Sequence, residues 1–213
     1  MDMAFDLSIT DELLATTRAV RKRLDLDRPV PREIIEQCLD LAVQAPTGGN
    51  SQGWRWVVID DRAKIAALAA LYKRVARDYL VSARNEATAG GEGQTARVYD
   101  SATWLADNLH LVPMIVMPCV AGRLPDTSAP TLSGYFGSIF PAVWSFQLAL
   151  RARGLGSVLT TLHLIDEAGS AQILGLPDLV QQIALLPVGY TRGTDFKRAE
   201  RPPTSEITHW NGW

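Results

Sequence analysis

The stretch from about Ser138 to Arg153 does most to limit what this chain can become. Ile139, Val143, Phe146, Gln147 and Leu150 recur there at helical spacing and give it a wide apolar face, which Gly154 closes. A helix with so broad an apolar face has to lie in the core of a folded domain. Around it, helical and strand patterns alternate. Pro31 opens a helix over 31 to 45 whose stripe is Ile35, Cys38, Leu39, Ala42 and Ala45, and Pro46 ends it. Further helices are predicted over 10 to 20, with Thr10 as N-cap, over 63 to about 83, over 101 to 110, and over 166 to 175. Strands are predicted at WRWVVID after Gly53, from Pro113 to Gly122, from Gly156 to Thr161, and from Gln182 to Tyr190. Arg84 to Arg97 loses all periodicity and reads as a mobile, polar connection, and RLPDTSAPTLSG reads as a loop. Strands separated by helices give an α/β or α+β sheet of roughly four or five strands. With 213 residues, 47% of them hydrophobic and 21% charged, the chain is read as a single domain over 1–213.

Several classes of function find no support. A net charge of −2 supplies no general attraction to nucleic acid or an anionic membrane, so any anion site must be local. The apolar runs near Leu111 to Ala121 and Ile183 to Val188 fall short of the ~20 residues a bilayer requires. The first twenty residues carry acids where a secretory signal carries lysines and arginines, so no export signal is expected. Cys38 and Cys119 sit in apolar surroundings without metal-type spacing, which fits buried thiols and a reducing cytoplasm. His110, His163 and His209 form no HExxH, and no GxSxG or GxxxxGK[ST] occurs, so zinc, serine-nucleophile and P-loop chemistry lack their motifs. The GEG at Gly91 to Gly93 lacks the preceding strand of a dinucleotide fingerprint. An organic cofactor carrying the reactivity would explain the missing catalytic set.

Three groups of residues remain as candidates. Arg18, Arg21, Lys22 and Arg23, with the distant Lys197, Arg198 and Arg201, could converge as planar, multidentate donors on a phosphate; on charge alone they read equally as two solvated basic faces. The turn PTGGN, from Pro46 through Thr47 and Gly48 to Asn50, offers backbone N–H groups and side chains to a polar ring or a ribityl chain, or is simply a turn. Thr160 and Thr161 close a strand where a backbone N–H could face a cofactor. Tyr72, Tyr79, Tyr99 and Tyr135 are candidate substrate contacts, with packing as the competing reading.

In order along the chain, TTRAVRKRLDLDRPVPREIIEQCLDLAVQAPTGGNSQGWRWVVI, SIFPAVWSFQLALRARGLGSV, LPVGY and RAERPPTSEITHW together resemble the nitroreductase family. The resemblance spans nearly the whole chain. It implies an α+β, three-layer α/β/α sandwich with a mixed, mainly antiparallel sheet, dimeric with exchanged terminal extensions, and two FMN molecules in the dimer interface. That would give the costly, exposed Trp210 and Trp213 a surface to lie on. By the family pattern, Arg18, Ala19 and Arg21 lie at the FMN phosphate and ribityl, joined by Arg198 and Arg201. Pro46, Thr47, Gly48 and Asn50 meet the cofactor from the other protomer, and Thr160, Thr161 and Leu162 lie beside the isoalloxazine. Ala19 stands where the family usually has serine, and Gly53 where it usually has proline; Thr161 and Leu162 replace the usual glycine or acidic pair.

The function so implied is an NADH- or NADPH-dependent flavin oxidoreductase of ping-pong type, reducing nitroaromatic, quinone or related small acceptors. No side chain is required as catalyst, because the flavin N5 carries the chemistry. The wall over the flavin is expected from Lys73 to Arg97 and Pro125 to Tyr135. Alternatives are another chemistry on the same cofactor (dehalogenation or oxygen-dependent), a non-catalytic flavin-binding module, or a basic-patch protein that binds nucleotides or nucleic acid.

Overall fold

A computed structural model describes residues 5–213 of the chain. At its centre is a five-stranded sheet built from β1 (Trp54–Ile59), β2 (Met114–Ala121), β3 (Leu155–Ser157), β4 (Val180–Gln182) and β5 (Leu186–Tyr190). The order is β1-β2-β5-β3, with β4 also on β2, and every pairing between these strands is antiparallel. The sequence run 182 to 190 is therefore two strands. They meet different halves of β2, and Leu185 between them turns aside to bridge Thr160.

β2 reads as a continuous apolar run because both of its faces are covered. Ile115, Met117 and Cys119 point into one core with Ile65, Leu68, Tyr72, Leu105 and Leu109; Met114 and Val116 point into the other with Ile35, Cys38, Ile139, Val143 and Phe146. The first core belongs to α3 (Arg62–Ala89) and α4 (Gly93–Asn108), the second to α2 (Arg32–Ala42) and α5 (Ala129–Ala152). Helices cover both faces of the sheet, giving the three-layer sandwich. α1 (Leu7–Thr16) and α6 (Glu167–Leu174) complete the helices. Among the described residues, no helix is long and apolar enough to cross a membrane.

Several boundaries differ from the sequence reading. α1 starts four residues earlier than Thr10 would place it, because Asp6 accepts from the Ser8 and Ile9 N–H groups as N-cap. It also stops at Thr16, so the basic run from Arg18 onward lies outside the helix, with Arg21 to Arg23 in a turn closed by Leu24 N–H donating to Arg21 O at 3.0 Å. α2 ends at Ala42, well before Pro46. The mobile connection predicted for Arg84 to Arg97 is overturned: α3 runs on to Ala89, only Gly90 to Glu92 intervene, and α4 begins at Gly93. Arg84 to Ala89 lost its periodicity because this end of α3 is exposed on most sides, with Ala87 alone buried, yet Arg, Glu and Ala are strong helix formers. α5 likewise reaches back to Ala129, with Pro130 in its first turn, and absorbs half the expected loop. It ends where predicted, as Gly154 takes φ 75°.

The segment after α1 is sewn along the outer edge of β3 and the end of β5. Ala19 bridges Ser157 in parallel, Val20 N–H donates to Ser157 O at 2.9 Å, and Asp25 N–H donates to Tyr190 O at 2.7 Å. Gly156 permits this approach: a Cβ there would stand 2.8 Å from both Val20 Cγ2 and Thr191 Cγ2. Gly156→Ala is expected to lower the free energy of unfolding in urea by about 1–3 kcal/mol, the usual range for overpacking a tight site. An unchanged denaturation midpoint would mean that the segment is not tightly seated.

Candidate functional site

Because 18 to 25 is pinned to the sheet edge, its side chains face the start of α4. A cleft of about 460 Å³ forms between Arg18, Ala19 and Arg21 on this segment, Gln94, Arg97, Val98 and Ser101 on α4, and Arg198 to Glu200 in the tail. The tail is brought there by Phe196, whose ring lies under the Arg23 and Arg151 guanidinium groups at 4.1 and 4.5 Å.

The basic residues of this region divide sharply. Lys22 pairs with Asp100 at 2.5 Å and Arg23 with Asp195 at 2.6 Å. Arg18, Arg97 and Arg198 make no hydrogen bond or ion pair among the described residues, and Arg21 reaches only the Ser101 hydroxyl, at 3.2 Å. Arg21 is partly buried, and its burial pulls the guanidinium pKa below its ordinary value. A desolvated cation without a carboxylate, among three further arginines and one glutamate, is the arrangement expected of a site that takes an anion from outside.

Thr160 is tied to the same region. Its hydroxyl lies 2.8 Å from the Tyr72 hydroxyl, and Tyr72 is near enough to Arg21 to feel its charge. Burial nevertheless raises the Tyr72 pKa on balance. The Thr160 N–H is consumed by Leu185 O at 3.1 Å, whereas the Thr161 N–H has no internal acceptor among the described residues. Thr161 is exposed, and Leu162 packs against the α3 and α4 core.

The turn at 46 to 53 stands elsewhere in the chain. Gly49, Asn50 and Gln52 take left-handed φ of 58°, 53° and 47°. The turn is held by Gly48 N–H donating to Ser138 Oγ at 2.9 Å and Gln52 N–H to Thr47 Oγ1 at 3.2 Å. Thr47 and Gly48 line an apolar cavity of about 330 Å³ with Val120, Tyr135 and Ile139, and it shares no residue with the arginine cleft. Pro46 and Asn50 are not among its lining residues; Asn50 Oδ1 accepts from the Gln52 side chain at 2.9 Å.

Of the sequence candidates, one chain thus brings together Arg18, Ala19, Arg21 and Arg198, with Thr160 linked through Tyr72. Pro46, Thr47, Gly48 and Asn50 lie apart, and Arg201 stays outside the cleft, donating to the Glu200 carbonyl at 3.0 Å. Tyr72 is a core residue, Tyr79 and Tyr99 form an edge-on pair 6.2 Å apart, and the Tyr135 hydroxyl donates to Gly122 O. Gln94 and Arg97 fall at the end of the wall expected from Lys73 to Arg97 but were not singled out, and Ser101 was missed. Their signal is the spacing i, i+3, i+7, visible only once 93 to 108 is recognised as one helix.

The model of the nitroreductase family matches residues 14–190. The chain belongs to the nitroreductase family. An iodotyrosine deiodinase from Thermotoga neapolitana is 26% identical over 200 residues, covering 93% of this chain and 96% of that protein. The fold is shared with an oxidised iodotyrosine deiodinase solved with FMN and 3-iodo-L-tyrosine, at a TM-score of 0.73 and 23% identity over 95% of this chain and 99% of that one. It is shared equally with an FMN- and NADPH-dependent nitroreductase from Sphigopyxis sp. strain HMH, at a TM-score of 0.70 and 20% identity over 95% and 99%. The family to which the chain belongs therefore spans more than one flavin chemistry.

Next to Thr161 and Leu162, His163 is fully buried, with neither ring nitrogen hydrogen-bonded among the described residues. Burial pulls its pKa from 6.5 down to about 4. The folded state holds the neutral ring while the unfolded chain protonates it, so stability is full above pH 6.5 and falls as pH drops toward 4. The expected loss is about 3 kcal/mol across that window. His163→Leu should flatten the pH dependence of the urea midpoint by that amount; an identical slope in both proteins would remove the assignment.

Proposed function

We propose that this chain is an FMN-dependent oxidoreductase acting as a homodimer, with NADH or NADPH as electron donor and a small oxidised molecule as acceptor. The observation that carries this reading is Arg21, a partly buried guanidinium without a carboxylate, set beside Arg18 and Arg198 in one cleft. That donor set fits a phosphate dianion, which planar guanidinium groups bind through paired hydrogen bonds.

Dimerisation is supported by what one chain leaves uncovered. Trp210 and Trp213 are almost wholly exposed, Ile9 and Leu14 of α1 are open, and α5 presents Gly134, Gly137, Pro141 and Trp144 along one exposed stripe. Apolar surface of this extent favours a second copy. In that dimer, Pro46, Thr47, Gly48 and Asn50 of one protomer complete the cofactor site of the other, and the exchanged tail carries Arg201 to the phosphate.

Bound there, the flavin supplies two-electron transfer between a nicotinamide and an oxidised acceptor. The protein's residues bind and orient it. Arg18, Arg21, Arg198 and Arg201 neutralise the phosphate, the small Ala19 leaves room for the ribityl chain, and the Thr161 N–H is a donor free to meet the ring edge, with Leu162 excluding water beside it. Nitroaromatics are the acceptors favoured by similarity to relatives named as putative NAD(P)H nitroreductases, with quinones as further candidates. Reductive dehalogenation is a second reading, favoured by similarity to the Thermotoga deiodinase. The buried, unpaired Cys38 and Cys119, the latter thiol raised to about 12 by burial, suit a reducing cytoplasm.

Freshly purified protein should be yellow, with a bound oxidised flavin, and should oxidise NADH or NADPH in the presence of a quinone or a nitroarene. An iodinated tyrosine as sole acceptor distinguishes the second reading. Arg21→Ala and Arg201→Ala are each expected to weaken FMN binding by about tenfold or more, as loss of a charge-assisted phosphate contact does. Full occupancy in either variant removes that arginine from the phosphate site. A colourless protein that FMN cannot reconstitute overturns the whole reading.

A further inference from the structure

The cleft holds more positive charge than one phosphate uses. A phosphate monoester carries roughly two negative charges near neutral pH, and Arg18 and Arg21, fixed to the sheet edge, already match them with Arg198 beside them. Arg97 stands on a different wall. It belongs to the α4 stripe of Gln94, Arg97, Val98 and Ser101, whose last member is engaged by Arg21.

Elsewhere on the α3–α4 pair, Arg62 donates to the Val112 and His110 carbonyls, Lys64 makes no pair among the described residues, and the other basic side chains are matched to acids. Lys73 and Arg77 share Asp107 at 2.9 and 3.1 Å, Arg74 meets Asp166, and Arg84 lies 3.9 Å from Asp100. Arg97 makes no such pair among the described residues. Its guanidinium folds back over the first turn of its helix, where Nη1 would lie 3.6 Å from a Cβ on Gly93. It is exposed, unlike Arg21, so it keeps the freedom to swing onto a ligand that comes and goes. Next to it in the cleft, Val98 presents apolar surface, being 47% exposed.

We infer that Arg97 is a specificity residue for the electron acceptor, recognising a carboxylate on a molecule whose apolar body lies against Val98. This rests on the flavin reading above, which assigns the Arg18 and Arg21 side of the cleft to the cofactor. The acceptors of this protein are then organic acids, carrying the reducible group on an apolar or aromatic frame, in preference to neutral compounds of the same shape. Gln94, one turn earlier on the same stripe, offers its amide as a second donor to the carboxylate.

The test is a binding measurement on FMN-loaded protein with 4-nitrobenzoate and its neutral isostere 4-nitrobenzamide, by calorimetry, with flavin absorbance giving FMN per chain. The wild type is expected to bind the benzoate about tenfold more tightly or better. Arg97→Gln should abolish that preference, leave benzamide binding and FMN content unchanged, and be partly rescued by Arg97→Lys, which restores the charge without the planar fork. Equal weakening of both compounds would make Arg97 merely structural, and a fall in FMN content would give it to the cofactor phosphate. A changed NADPH-to-NADH affinity ratio with benzoate binding intact would give it to a donor phosphate. Each of these overturns the inference. A wild type that holds FMN yet shows no benzoate preference also overturns it and spares the flavin reading, whereas a protein without FMN removes the flavin reading itself.

Discussion

The seam between residues 18 to 25 and the edge of the sheet is the constraint on which the rest of the site depends. It consists of a few backbone hydrogen bonds, Val20 to Ser157 and Asp25 to Tyr190 among them, closed over a position where only glycine fits. Without that seam Arg18 and Arg21 would be solvated side chains on a loose segment, each repaid by water for lacking a partner. With it, Arg21 is drawn under cover beside Ser101 and Tyr72, and its charge is no longer fully hydrated. A backbone contact thus creates the electrostatic demand that suits the cleft to the anion proposed for it.

The sheet supplies the other half of the geometry. β2 is buried on both faces, so it serves as a rigid wall between two cores, and the elements at the functional edge all hang from it or from its neighbour β5. Thr160 is placed by its bridge to Leu185, at the bend where β4 gives way to β5. The same bridge uses the Thr160 N–H and leaves the next one, on Thr161, without an internal acceptor among the described residues. On the opposite core, α5 carries Ser138 toward the Gly48 N–H and fixes a turn containing three left-handed residues. That turn is presented outward, next to an exposed helical stripe, where the proposed dimer would set it against the site of a second copy.

Much of the fold was legible because its signals are local. The wide face of α5, its stop at Gly154, the stripe on α2 and the apolar strands all follow from spacing and from glycine and proline. The errors have equally specific causes. Arg84 to Arg97 looked unstructured because an exposed helix end needs no apolar stripe, and α1 was misplaced because Asp6, not Thr10, caps it. For the candidate site, residue types and family order singled out the arginines, but their placement outside any helix and their division into paired and unpaired members were not visible. Lys22 and Arg23 are neutralised by Asp100 and Asp195, which lie 78 and 172 positions away in sequence. No local pattern encodes such a match.

That division also explains how a chain of net charge −2 can hold a strongly cationic site. Among the described residues, acids are not spread evenly over the bases: they are spent on Lys22, Arg23, Lys73, Arg74 and Arg77, and withheld from Arg18, Arg21, Arg97 and Arg198. The missing partner costs stability in the empty protein at Arg21, which is partly buried and desolvated, whereas Arg97 and Arg198 are exposed and stay hydrated. The anion proposed for the cleft would recover that cost, linking its binding to folding stability. An arrangement that sacrifices stability without a ligand and regains it with one is how a fold stores affinity for a group it does not itself contain.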